Sequence, residues 1–109
     1  MTTIMIRKTV KNEYIGFICM GHAGYAKDEP DIVCAAVSVL VINTINAMEK
    51  LAGQIVDVVQ NEETGFMKCD FKDRLNDRSI LLMEAMILGL QDISKSYGKK
   101  YLQVKFEEV

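Results

Sequence analysis

From Ile32 the chain runs apolar for about twenty residues, with Asp31 before the run and Gly53 after it. That pattern predicts a helix over Asp31 to Ala52. Asp31 is the expected N-cap, its carboxylate accepting from the otherwise orphaned N–H groups of Val33 or Cys34, and Gly53 stands at the C′ position. The first three turns are apolar on nearly every side, and only Asn43, Asn46, Glu49 and Lys50 give a polar face later. Such a helix needs a surface that buries its first half, so the rest of the chain has to supply one. The longest nearly unbroken apolar stretch, Ile32 to Ile42, contains Ser38 and is shorter than the roughly eighteen residues of a membrane span. No membrane helix is expected.

The flanking segments read as strands. Residues 2 to 10 alternate loosely, Lys11-Asn12-Glu13 makes a polar turn, and Tyr14 to His22 returns as the second arm of a hairpin. Within that arm Ile18, Met20 and His22 fall on one face and Phe17, Cys19 and Gly21 on the other. Gln54 to Gln60 and Phe66 to Phe71 bracket Asn61-Glu62-Glu63-Thr64-Gly65 as a second hairpin. After a charged loop, Lys72 to Asp77, a second helix capped by Asp77 or Ser79 runs to Tyr97, with Gly98 after it. Its apolar surface is wider than one stripe, through Leu82, Met86 and Ile93; a dimer contact and a broad core face explain that equally well. Tyr101 to Glu107 alternates as a last strand. The order ββαββαβ implies an α+β fold: one two-layer domain over residues 1–109, with a largely antiparallel sheet packed by two helices.

Chemistry concentrates between Gly21 and Ser38, GHAGYAKDEPDIVCAAVS, which holds the only histidine, the only proline and one of three cysteines. Cys34 falls in the first helical turn, where the positive end of the macrodipole favours thiolate over thiol, and His22 at the strand end can act as an adjacent base. A thiol next to an imidazole, with backbone N–H groups ready for an oxyanion, is what nucleophilic acyl transfer requires. Each part alone has a commoner structural use: buried cysteines are usually small apolar fillers. Ser38, four residues on, shares the Cys34 face and either back-bonds to a helix carbonyl or helps orient the site. The eight residues from Ala23 to Pro30 join the two elements, with Gly24 as a permissive joint and Tyr25 as an aromatic that can cover a peptide. They serve either as a gate over the site or as a plain connector.

The string G-H-A at 21–23, followed by D-I-V-C-A-A-V-S at 31–38, resembles the bacterial ribosomal-processing cysteine protease family, Prp. The resemblance implies a catalytic dyad of His22 and Cys34, with Asp31 and Ser38 on the family's aspartate and serine. It also implies a homodimer of small two-layer domains that removes a short N-terminal extension from the twenty-seventh protein of the large ribosomal subunit. The chain departs from the family in carrying Glu29 before Pro30, where relatives usually have a glycine two residues ahead of the aspartate; proline fixes φ where glycine would leave a hinge. Two other functions fit the same residues: a non-catalytic, peptide-binding ribosome-assembly accessory, and a thiol hydrolase of small amides or esters.

Cys19, Cys34 and Cys69 are odd in number and lack C-x-x-C spacing, and residues 1–10 do not read as an export signal. Reduced thiols in the cytoplasm are expected. Cys19 and Cys69 read as core. A zinc site from His22 and the cysteines lacks paired ligand spacing, so no metal and no cofactor is expected. The net charge of −2, with Asp28, Glu29 and Asp31 around the central loop, argues against direct nucleic-acid binding.

Overall fold

Strand alternation at the start of the chain resolves into β1 (Thr2–Lys8), which buries Thr2, Ile4 and Ile6 and turns Thr3, Met5 and Arg7 to the other side. The computed structural model describes residues 1–22 and 31–109. After β1 come β2 (Tyr14–Met20), α1 (Ile32–Leu51), β3 (Val56–Asn61), β4 (Phe66–Phe71), α2 (Asp77–Tyr97) and β5 (Leu102–Glu108). The five strands form one sheet in the order β3-β4-β2-β1-β5. Three pairings are antiparallel, and β5 alone runs parallel to its neighbour β1, with Ile4 opposite Val104. The α+β, ββαββαβ architecture is therefore the one the sequence implies.

Two crossovers account for both helices lying on one face. The β2–α1–β3 connection passes over β4, and the β4–α2–β5 connection passes over β2 and β1, with parallel ends in each case. They move in opposite directions along the sheet from strands of opposite direction. Right-handed crossovers, the strongly preferred hand, then put both helices on the same side. There Ile4, Phe17 and Cys69 of the sheet meet Val33 and Val41 of α1 and Met83 and Leu90 of α2 in a single core.

Helix α1 starts and stops where its caps require, with Asp31 at the N-cap and Ala52 at the C-cap. By length and composition it is apolar enough to cross a bilayer, which the shorter run to Ile42 did not foreshadow; Val33, Val37, Val41, Ile45 and Met48 are buried in the domain. For α2 the cap is Asn76, not Asp77 or Ser79. Asn76 accepts from the Ser79 N–H at 2.9 Å, donates through Nδ2 to the Ala52 carbonyl at 2.8 Å, and its own N–H donates to Gln54 Oε1 at 3.1 Å. The cap thus also ties α2 to the end of α1. Ser79 is instead fully buried, with no partner for its hydroxyl among the described residues. Leu82, Met86 and Ile93 pack on the core, so core packing explains the width of the apolar face of α2.

Candidate active site

Strand β2 ends at Met20, two residues earlier than its alternation suggests. Gly21 adopts φ +80°, a left-handed conformation that only glycine takes without strain, and a Cβ there would lie 2.6 Å from the Met1 carbonyl oxygen. Thr2 Oγ1 donates to the Gly21 carbonyl at 3.3 Å and fixes the bend. The bend cancels strict alternation: Cys19 and His22, assigned to opposite faces from the sequence, line the same cavity.

On the opposite wall Asp31 opens α1, its Oδ1 accepting from the N–H of Val33 at 3.0 Å and of Cys34 at 3.1 Å. Cys34 is half-buried in the first turn. This cap has a consequence for oxyanion binding. The N–H groups of Val33 and Cys34 are engaged by the Asp31 carboxylate, and that of Ala35 donates to the Asp31 carbonyl at 2.9 Å. Three of the first-turn donors expected for an oxyanion are thus already in use. Replacing Asp31 by alanine is expected to cost about 1 kcal/mol of stability, and by asparagine, which keeps the acceptor, markedly less. Denaturant melts of the two variants check this; equal losses would mean that charge rather than capping is what Asp31 contributes.

His22 and Cys34 share a cavity of about 320 Å³ that is also lined by Gly21, Ser38 and Ile42, and, around the β3–β4 turn, by Asn61, Glu62 and Gly65. Ser38 is exposed in it, one turn beyond Cys34. Back-bonding in α1 is made by Thr44, whose Oγ1 donates to the Leu40 carbonyl at 2.7 Å; no such bond is made by Ser38 among the described residues, and Ser38 lines the cavity. His22 is exposed, and its Nε2 lies 3.0 Å from the Glu63 carbonyl oxygen. Of Gly21, Ala23, Gly24, Tyr25 and Pro30, expected to form a gating or substrate-binding loop, Gly21 lines the cavity and the other four lie outside the described residues, as does Glu29.

The β3–β4 turn is the part of the site that sequence reasoning missed. Asn61 to Gly65 carries ordinary hairpin residues, and nothing local says that the turn docks on Gly21 and His22. The one available signal was Gly65, whose φ of +71° and close approach to the Gly21 carbonyl exclude a side chain.

The three cysteines occupy different environments. Cys19 and Cys69 are buried, and desolvation pushes both thiols up to about 12, Cys69 with a further push from Asp70. At pH 8 such a thiol is about one ten-thousandth thiolate. Cys34, half-buried on the cavity, is expected to be alkylated at least about a hundredfold faster than either, and more slowly once His22 is replaced. Site-resolved iodoacetamide labelling measures this; equal rates at the three sites would remove the case for a reactive thiol.

A family model described as Cysteine protease Prp matches residues 1–103. The Ribosomal processing cysteine protease Prp of Bacillus subtilis (strain 168) is 31% identical over 103 residues, covering 85% of this chain and 90% of that protein. The protein of the same name from Staphylococcus aureus (strain Mu50 / ATCC 700699) is 27% identical over 99 residues, covering 91% and 93%. The crystal structure of an essential ribosomal processing protease Prp from S. aureus, in complex with a covalently linked product peptide, matches with a TM-score of 0.90 at 25% identity, covering 98% of this chain and all of that one. Sequence and fold agree along nearly the whole chain, and it belongs to the family of the cysteine protease Prp.

Proposed function

We propose that this protease is an endopeptidase that removes the N-terminal extension of a large-subunit ribosomal protein, the twenty-seventh, using Cys34 as nucleophile and His22 as base. The observation that carries the reading is the convergence of the only histidine and one half-buried cysteine, from a strand end and a helix start, on one cavity. Relatives named as ribosomal processing proteases, one of them with a covalently linked product peptide, support the substrate class and the covalent route.

The chemistry follows from the groups. His22 takes the Cys34 proton as the sulfur attacks the scissile carbonyl, and the resulting tetrahedral adduct collapses when the imidazolium returns that proton to the leaving amine. A thioester remains on Cys34. Water, deprotonated by His22, adds to it and expels the thiolate, which regains its proton. Asp31 positions Cys34 by holding the first helical turn, and Ser38 presents a hydroxyl to the same cavity. We take the protein to work in the cytoplasm as a homodimer, for which the exposed Leu81 and Leu88 of α2 offer apolar surface, with neither a membrane nor nucleic acid as direct partner.

The test is incubation with a peptide bearing the ribosomal protein's N-terminal extension, followed by mass analysis. A single cut that Cys34→Ala lacks supports the assignment. Binding without cleavage would identify a peptide-binding accessory, and turnover of small thioesters or amides alone would identify a thiol hydrolase.

A further inference from the structure

We propose that the main-chain carbonyl of Glu63, on the β3–β4 turn, is the positioning element that selects which nitrogen of His22 serves as the base. The proposal rests on the reading of His22 as base and adds the group that orients it. A neutral imidazole carries one ring proton, and a carbonyl oxygen can only accept. The 3.0 Å contact between Nε2 and the Glu63 carbonyl therefore places the proton on Nε2 and leaves the Nδ1 lone pair to take the Cys34 proton. Once Nδ1 is protonated the ring is an imidazolium, and the same Nε2–H···O bond becomes charge-assisted and stronger. The contact thus holds the ring before proton transfer and stabilises it afterwards. Being neutral, the carbonyl does so without a buried carboxylate's cost of desolvation.

The turn is built to keep that carbonyl in place. Asn61 Oδ1 accepts from the Glu63 N–H at 3.1 Å, and Thr64 Oγ1 donates to the Asn61 carbonyl at 3.4 Å, so both sides of the Glu63 peptide are braced from the end of β3. Gly65 then lets the turn close on the strand end. A Cβ at that position would lie 2.5 Å from the Gly21 carbonyl oxygen and 3.2 Å from His22 Cε1, and its φ of +71° is itself unfavourable to other residues. A side chain at 65 has to push the turn away from His22, and the Glu63 carbonyl goes with it.

Because the chain has one histidine, its ring nitrogens can be read by 15N–1H correlation without assignment. In the wild type the ring proton is expected on Nε2, visible and protected from solvent exchange. Gly65→Ala should abolish that protection and lower kcat about ten- to a hundredfold, with a smaller change in KM, because misplacement of about 1 Å is enough for such a loss. Should Gly65→Ala not fold, Asn61→Ala carries the test with the same two readouts, and Asn61→Asp, which restores an acceptor for the Glu63 N–H, should recover both. A ring proton on Nδ1, or an Nε2 proton exchanging as fast as in a free imidazole in the wild type, overturns the proposal. So does unaltered kcat in a folded variant that has lost protection. His22→Ala separates the underlying reading: full cleavage without His22 refutes the base itself, wherever the wild-type ring carries its proton.

Discussion

Cys34→Ala is expected to lower cleavage of the extension peptide by about ten-thousandfold or more, and His22→Ala by a comparable factor, with both proteins keeping their fold. The magnitude follows from how a nucleophile and its base act as one unit: without the thiol no acyl-enzyme forms, and without the imidazole the thiol is neither deprotonated nor able to pass a proton to the leaving amine. For the same reason the double variant should be no slower than the worse single one. Stability should barely respond. Cys34 is only half-buried and His22 is exposed, so the histidine variant loses little beyond its bond to the Glu63 carbonyl, about 1 kcal/mol. Single-turnover cleavage and denaturant melts on the same preparations make the comparison. A Cys34→Ala protein within tenfold of wild-type cleavage would move the nucleophile elsewhere, and a coincident collapse of stability would make the loss uninformative about chemistry.

Where the chain could be read from its sequence, the cause was local. Asp31 accepts from the first-turn N–H groups of α1, and Gly53, at φ +65°, turns the chain so that the Gln54 N–H reaches the Met48 carbonyl, so the boundaries of that helix are written at the boundary positions. Likewise Cys34 lies in the first turn because the cap counts it there. The start of α2 was misread because Asn76 gains from partners twenty or more residues away, Gln54 and the Ala52 carbonyl, as well as from the Ser79 N–H. The parallel docking of β5 beside β1 depends likewise on a crossover above two strands, which no short window contains. The site divides along the same line. His22, Cys34, Asp31 and Ser38 occur within seventeen residues of one another, and three of them, His22, Cys34 and Ser38, line one cavity from the end of β2 and the start of α1. The wall that completes their cavity comes from Asn61, Glu62 and Gly65 around the β3–β4 turn, and its approach is visible only once Gly21 bends the end of β2 into contact with Gly65.

The opposite signature, stability lost with chemistry kept, is expected at Phe17. Its side chain is fully buried on β2, in the interior of the sheet, between Ile6 of β1 and Cys69 of β4, and its ring meets Phe71 edge-on at 6.4 Å between centroids. Phe17→Ala removes that volume from beneath both helices, where the backbone is held in two ladders and cannot collapse to fill it. The expected cost is about 3–5 kcal/mol, of which about 1 kcal/mol is the aromatic pair. Since domains of this size are stable by only about 5–15 kcal/mol, the melting midpoint should fall by roughly 15 °C or more. None of the groups that touch substrate is altered, so the molecules that remain folded at low temperature should cleave at close to the wild-type rate. Thermal melts with cleavage measured well below the new midpoint test both halves. A loss under about 1 kcal/mol would mean that the sheet and helices relax into the cavity, and slow cleavage by a fully folded variant would mean that the core beside Cys19 also sets the geometry of the site.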